Sequence, residues 1–202
     1  FPSNQFVLAE GDGTIRGITP LADGKIYLWG NFVYTIGSTR FNCIVRLESN
    51  GAIDPAFRSP FPAEPSPYSI IAVEPFAGGI WALQEGVLNF VKLAALDHTG
   101  QIITQGRFPR WGHPLRFDAF DLAARPGEGV FVAGIPFDLE VTQPGFQIAQ
   151  PLVALDDGLD IDTAFAPPLG GRGYAIEPVD ARLLVAGHFT NTISGAAGYL
   201  AR

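Results

Sequence analysis

Gly17-Ile-Thr-Pro-Leu-Ala-Asp-Gly-Lys-Ile-Tyr-Leu-Trp-Gly-Asn-Phe32 reads as two short strands around a turn. The first apolar stretch ends at Ile18-Thr-Pro20, and Ala22-Asp-Gly24 is the turn, where glycine supplies positive φ. Lys25-Ile-Tyr-Leu-Trp29 follows, rich in β-branched and aromatic residues, and Gly30-Asn-Phe32 closes it. Past a polar loop through Gly37, Phe41-Asn-Cys-Ile-Val-Arg-Leu47 makes a third strand. After the turn Glu48-Ser-Asn-Gly51, Ala52-Ile-Asp-Pro-Ala-Phe57 makes a fourth, short one. Four antiparallel strands in roughly fifty residues predict one propeller blade.

The pattern recurs about four times, at intervals of roughly fifty residues, as repeat architectures do. Its landmark is an apolar stretch ending in proline: Ile18-Thr-Pro20, Val73-Glu-Pro75, Ala124-Arg-Pro126 and Ile176-Glu-Pro178. The second repeat keeps Ile70-Ile-Ala-Val73, Gly79-Ile-Trp-Ala-Leu83 and Lys92-Leu-Ala-Ala-Leu96, with a shortened loop around Gly86. In the third, Gly129-Val-Phe-Val-Ala-Gly134, Pro151-Leu-Val-Ala-Leu155 and Asp160-Ile-Asp-Thr-Ala-Phe165 follow the same order. The fourth has Tyr174-Ala-Ile176 and Arg182-Leu-Leu-Val-Ala-Gly-His-Phe189, and Gly187-His-Phe189 repeats Gly30-Asn-Phe32. It reaches only its third strand at Tyr199-Leu-Ala-Arg202, and Gln5-Phe-Val-Leu8 is placed to supply the fourth.

The expected fold is therefore all-β: a propeller of four blades of four antiparallel strands, closed by the N-terminal strand. Closure of this kind removes two exposed sheet edges. Four blades of a larger ring or array fit the same pattern. The repeats run approximately 9–57, 58–108, 109–165 and 166–202, the last joined by 1–8, all in one domain.

Composition narrows the function classes. The chain has 202 residues, 47% of them hydrophobic, with 24 Gly and 17 Pro, enough for a sizeable core but not for long helices. A net charge of −7 opposes generic nucleic-acid binding, which needs a basic footprint. No apolar run approaches the roughly 20 residues that span a bilayer as a helix. Cys43, the single cysteine, rules out an internal disulfide and a cysteine-based zinc cluster, and its apolar setting predicts a small buried side chain. A chain without methionine that starts at Phe1 suggests processing, and an extracellular, cell-surface or periplasmic location is expected.

The string Ala22 to Phe32, continued by Ile44-Val-Arg-Leu47 and Gly51-Ala-Ile-Asp-Pro-Ala-Phe57, resembles the delta-60 repeat of bacterial β-propeller-like proteins. The likeness is strong in the first repeat, partial in the third and fourth, and weak in the second. It implies a propeller-type fold, often in large exported or surface-attached proteins, and carries no catalytic motif. A non-enzymatic binding or scaffold module is expected, without cofactor or metal. A propeller that binds or cleaves carbohydrate is the other reading.

Subtracting the repeat leaves Arg107-Phe-Pro-Arg-Trp-Gly-His-Pro-Leu-Arg-Phe117 as the most distinctive segment. Arg107, Arg110, His113 and Arg116 alternate with Phe108, Trp111 and Phe117, the residue types of interface hot spots. Arg107, Arg110, Trp111, His113, Arg116 and Phe117 are thus the candidate contact residues for an acidic protein surface or an anionic glycan. Thr19, Glu74, Arg125 and Glu177 precede the four prolines and are expected at one level near the mouth of a central channel. Asp156-Asp-Gly-Leu-Asp-Ile-Asp162 has the carboxylate density of a calcium loop but lacks EF-hand order. It matches the turn Glu48 to Asp54, so a repeat turn is expected. His98, His113 and His188 have no zinc spacing.

Overall fold

The computed structural model describes residues 13–61, 69–85, 91–108, 117–125, 129–136, 151–165, 167–180, 182–191 and 198–201. They form thirteen strands in four antiparallel sheets. The N-terminal strand expected at 5–8, the loop at Gly86 and Pro126 lie outside the described residues.

The chain divides into two compact units. The first comprises 1–88 and 93–105. Its first sheet has the order β1 (Thr14–Pro20), β2 (Ile26–Ile36), β3 (Thr39–Leu47). Its second has the order β4 (Ser69–Phe76), β5 (Gly79–Glu85), β6 (Val91–Asp97), β7 (Ile102–Phe108), the ends of β6 and β7 running into the second unit. Tyr27, Cys43, Ile44 and Phe57 of the first sheet and its outer loop meet Ile70, Val73, Ile80, Ala82, Ala94 and Leu96 of the second in one core. Leu28, Phe32, Tyr34, Val45 and Leu47 make a separate cluster from the alternate positions of β2 and β3. Period-two alternation thus gives one sheet two apolar faces. Each fully buried side chain of this size contributes ~1.5–3 kcal/mol relative to exposure.

The second compact unit comprises 89–92 and 106–202. It holds the third sheet, β8 (Phe117–Ala124), β9 (Val130–Pro136) and β10 (Leu152–Leu155), with β9 in the middle. The fourth sheet is β11 (Gly170–Val179), β12 (Arg182–Asn191) and β13 (Gly198–Ala201). Ala123, Phe131, Ala133, Leu152 and Ala154 pack against Ile176, Val185 and Phe189.

The first strand of every sheet carries a bulge at the same place, between Ile15 and Gly17, Ile70 and Ala72, Ala119 and Asp121, and Gly173 and Ala175. The extra residue in each is Arg16, Ile71, Phe120 or Tyr174. This explains the recurring Gly-x-Phe. Gly30 and Gly187 sit opposite the bulge, paired with Ile15 and Gly173, and a Cβ there would run into the carbonyl oxygens of Thr14 and Arg172. Gly30-Asn-Phe32 therefore does not close its strand, as expected from sequence: β2 passes through it to Ile36.

The outer strands also differ from expectation. In the first and third repeats the predicted fourth strand shrinks to single bridges, Leu47 to Ile53 and Leu155 to Ile161. Among the described residues, only the second sheet has a full fourth strand, β7. Its C-terminal end takes Arg107 and Phe108, and β8 takes Phe117, so the segment read as a loop is flanked by strand at both ends.

Candidate functional site

The densest cluster of charged side chains among the described residues lies at the outer turn of the first repeat. The turn closes by hydrogen bonds from Glu48 N–H to the Ala52 carbonyl and from Gly51 N–H to the Glu48 carbonyl. It delivers Asp54 beside Arg46, with the Asp54 N–H donating to the Arg46 carbonyl at 2.9 Å. Arg46 Nε and Lys25 Nζ each donate to Asp54 Oδ2 at 2.7 Å, and Ala56 N–H donates to Oδ1 at 2.8 Å. Arg46 Nη1 donates to the Tyr27 hydroxyl at 3.2 Å and to the His98 carbonyl, on the second sheet's turn, at 2.8 Å. Its guanidinium also lies 5.8 Å from the Tyr27 ring centre and 5.4 Å from that of Phe57.

The Arg46 and Asp54 side chains are only 7% and 2% exposed. Burial alone pushes the Asp54 carboxyl up, but hydrogen bonds from Lys25, the Ala56 N–H and Arg46 outweigh it and hold the carboxyl at about 2. Lys25 is raised by its hydrogen bonds to Asp54 and Glu48. A carboxylate with both oxygens engaged, beside a cation stacked on two rings, is a structural lock. It is poorly suited to acid–base work.

The third repeat rebuilds this lock from different parts. Asp162 occupies the place of Asp54: its N–H donates to the Ala154 carbonyl at 2.9 Å, and Oδ1 accepts from Ala164 N–H at 2.9 Å. Ala154 thus stands where the first repeat has Arg46. The cation comes instead from Arg125, whose Nη1 donates to Asp162 Oδ2 at 2.8 Å and whose guanidinium lies 5.8 Å from the Phe131 ring centre. Phe131 and Phe165 meet at 5.1 Å, as Tyr27 and Phe57 do at 5.1 Å. The Arg125 hydrogen bond leads the causes that lower the Asp162 carboxyl. In the second repeat the turn Asp97 to Gln101 has the same backbone bonds, but Ala95 and Ile103 take the two lock positions.

Three of the four residues before the prolines hold the same position in their own sheets. Thr19 pairs with Tyr27, Glu74 with Trp81 and Glu177 with Leu184, which are equivalent places. The third residue at that level is Ala123, paired with Phe131. Arg125 lies two places further on, past the end of β8, where its N–H donates to the Gly129 carbonyl as Leu21 N–H donates to that of Lys25. The channel-mouth expectation for Arg125 is therefore corrected. Proline lies at or near the end of the first strand in the first, second and fourth repeats, where a residue without N–H is tolerated. In the first compact unit Thr19 accepts a hydrogen bond from Trp29 Nε1 at 2.9 Å and donates to the Val73 carbonyl at 3.2 Å, tying two sheets together.

The second compact unit contains a feature that sequence reasoning missed. Phe120 and Tyr174, its two bulge residues, meet edge to face at 5.6 Å while remaining 40% and 45% exposed. Beside them Asp121 accepts from the N–H groups of Leu122 at 2.9 Å and Ile176 at 3.0 Å, and burial pushes its carboxyl up. Only register knowledge reveals the pair, since the two aromatics share a bulge position and no local motif. In the acidic turn, Asp156 Oδ1 accepts from Asp160 N–H at 2.8 Å, as a repeat turn requires. Arg107 and Phe117 lie on strands, while Arg110, Trp111, His113 and Arg116 lie outside the described residues. Cys43 is fully buried, and burial pushes its thiol up to about 12.

Bulged antiparallel sheets recurring with one turn chemistry define an all-β protein of propeller-like blades. Residues 21–57, which contain the first lock complete, match the family described as "Domain of unknown function (DUF5122) beta-propeller". That stretch is similar to the repeat of the delta-60-type propeller family. No curated protein matches the chain.

Proposed function

We propose that this chain is a non-enzymatic binding or scaffold module that makes protein–protein contacts in an extracellular or cell-surface assembly. The observation that carries the reading is where the turn carboxylates go. Asp54, Asp97, Asp156 and Asp162 each accept hydrogen bonds that hold a blade turn. Charge in these turns thus serves architecture, and the Arg107–Phe117 segment is the stretch of sequence that the repeat pattern does not account for. Three of the 13 Lys and Arg residues fall there, interleaved with Phe108, Trp111 and Phe117. In an acidic chain, such a segment suits an acidic partner surface. As part of the same proposal, the four sheets are blades of one ring, with Gln5-Phe-Val-Leu8 as the outer strand of the fourth.

The double variant Arg110→Ala/Trp111→Ala tests the contact segment. Binding of the chain to an immobilised oligoglutamate peptide is expected to weaken at least ~10-fold, or ~1.4 kcal/mol, with the thermal unfolding curve unchanged. Equal binding by the variant contradicts the proposal. The exposed Phe120–Tyr174 pair favours a second reading, recognition of carbohydrate, because aromatic faces stack on sugar rings.

A further inference from the structure

The second sheet departs from the repeat in one coherent way. In the first repeat, and again in the third, the outer strand is a single bridge followed at once by an acid tied to an arginine. Such inward-held charges and minimal edge strands are devices that keep a sheet edge from pairing with another chain. The second repeat lacks both. Ile103 stands at the position of Asp54 and Asp162, and the outer strand β7 runs for seven residues at the end of its sheet. Gln101, Ile102, Ile103 and Gln105 are exposed, Ile102 at 38% and Ile103 at 57%. From Gln101 to Gly106 the chain carries no charge.

We propose that this edge, over Gln101–Gln105, is a self-association site, where the β7 of a second copy adds antiparallel about a two-fold axis. Charge selects that occupant. Two copies with a net charge of −7 each repel almost everywhere, and this neutral edge lets them meet without opposed like charges. In an antiparallel pair centred on Ile103, the two Ile103 side chains face each other and Gln101 stands opposite Gln105. Backbone hydrogen bonds supply the attraction, and the two-fold axis closes the assembly at a dimer. The inference goes beyond the contact segment and does not depend on it.

Sedimentation equilibrium of the whole chain tests it. The 21.6 kDa mass is expected to double as concentration rises toward ~1 mM, and Ile103→Lys is expected to abolish the doubling while leaving the circular dichroism spectrum unchanged. Ile103→Cys supplies a readout that does not depend on the lysine variant folding. Under mild oxidation it is expected to form a covalent dimer faster than Asn50→Cys, placed on an exposed turn. A wild-type chain that stays monomeric, an Ile103→Lys variant that still dimerises, or equal cross-linking of the two cysteine variants would each overturn the proposal.

Discussion

Replacing Asp54 with alanine is expected to destabilise the first compact unit by about 3–5 kcal/mol, as read from urea unfolding at neutral pH. The size follows from what stays behind. Asp54 accepts from Arg46 and Lys25 at 2.7 Å each, and without it the Arg46 guanidinium stays buried and uncompensated. Removing Arg46 and Asp54 together in favour of apolar residues is expected to cost much less, since the penalty arises from the orphaned cation.

The same carboxylate sets a pH dependence. Its folded pKa is held at about 2, below the ordinary 3.8, so the folded state binds the proton more weakly than the unfolded chain. The stabilisation is therefore complete above about pH 4 and disappears as pH falls through about 2. It amounts to at most ~2 kcal/mol and is reduced where water screens the turn. The alanine variant is expected to lose this part of the acid sensitivity. A variant as stable as the parent would show that the ion pair contributes nothing to the turn.

Phe57→Ala is expected to cost about 3–5 kcal/mol in the same measurement, the range for truncating a large core aromatic. Phe57 is 1% exposed, meets Tyr27 edge to face at 5.1 Å, and carries the Arg46 guanidinium 5.4 Å from its ring centre. Its removal opens a cavity between two sheets and takes away half of the aromatic seat of a buried cation. The equivalent Phe165→Ala is expected to cost less, because Phe165 is only partly buried. Equal losses at the two sites, or a loss below about 1 kcal/mol at Phe57, would contradict the packing described.

The sequence disclosed the repeat because turns and strands leave local signals. Ala22-Asp-Gly24 and Glu48-Ser-Asn-Gly51 are turns as read, and Cys43 is buried as its apolar neighbours imply. Local signals also misled at two places. Gly30-Asn-Phe32 looks like a strand end, but its glycine answers a bulge on the neighbouring strand, a demand set by pairing across the sheet. Matching the third repeat by Pro126 displaced Arg125 by two positions, because pairing across the sheet sets Ala123, not Arg125, at the level of Thr19.

The transposed arginine was the least legible feature. Any column-by-column comparison sets Arg46 against Ala154 and finds the cation missing. In three dimensions, position 125 reaches the equivalent carboxylate and the equivalent aromatic seat from just past the end of β8. Selection on an interaction leaves no fixed column when two backbone positions can serve it. The expected fourth strand forms in full at β7 for a related reason: in the second repeat the acid that follows the bridge in the first and third is replaced by Ile103.

The claim that the first and third repeats share one lock, built from different backbone positions, is tested most directly by a double-mutant cycle on Arg125 and Asp162, measured by urea unfolding. Arg125→Ala, Asp162→Ala and the double variant are expected to be non-additive, with the double variant more stable than the two single losses summed would allow. Strict additivity would mean that the 2.8 Å pair is not an energetic partner of the Arg46–Asp54 kind, and would contradict the account.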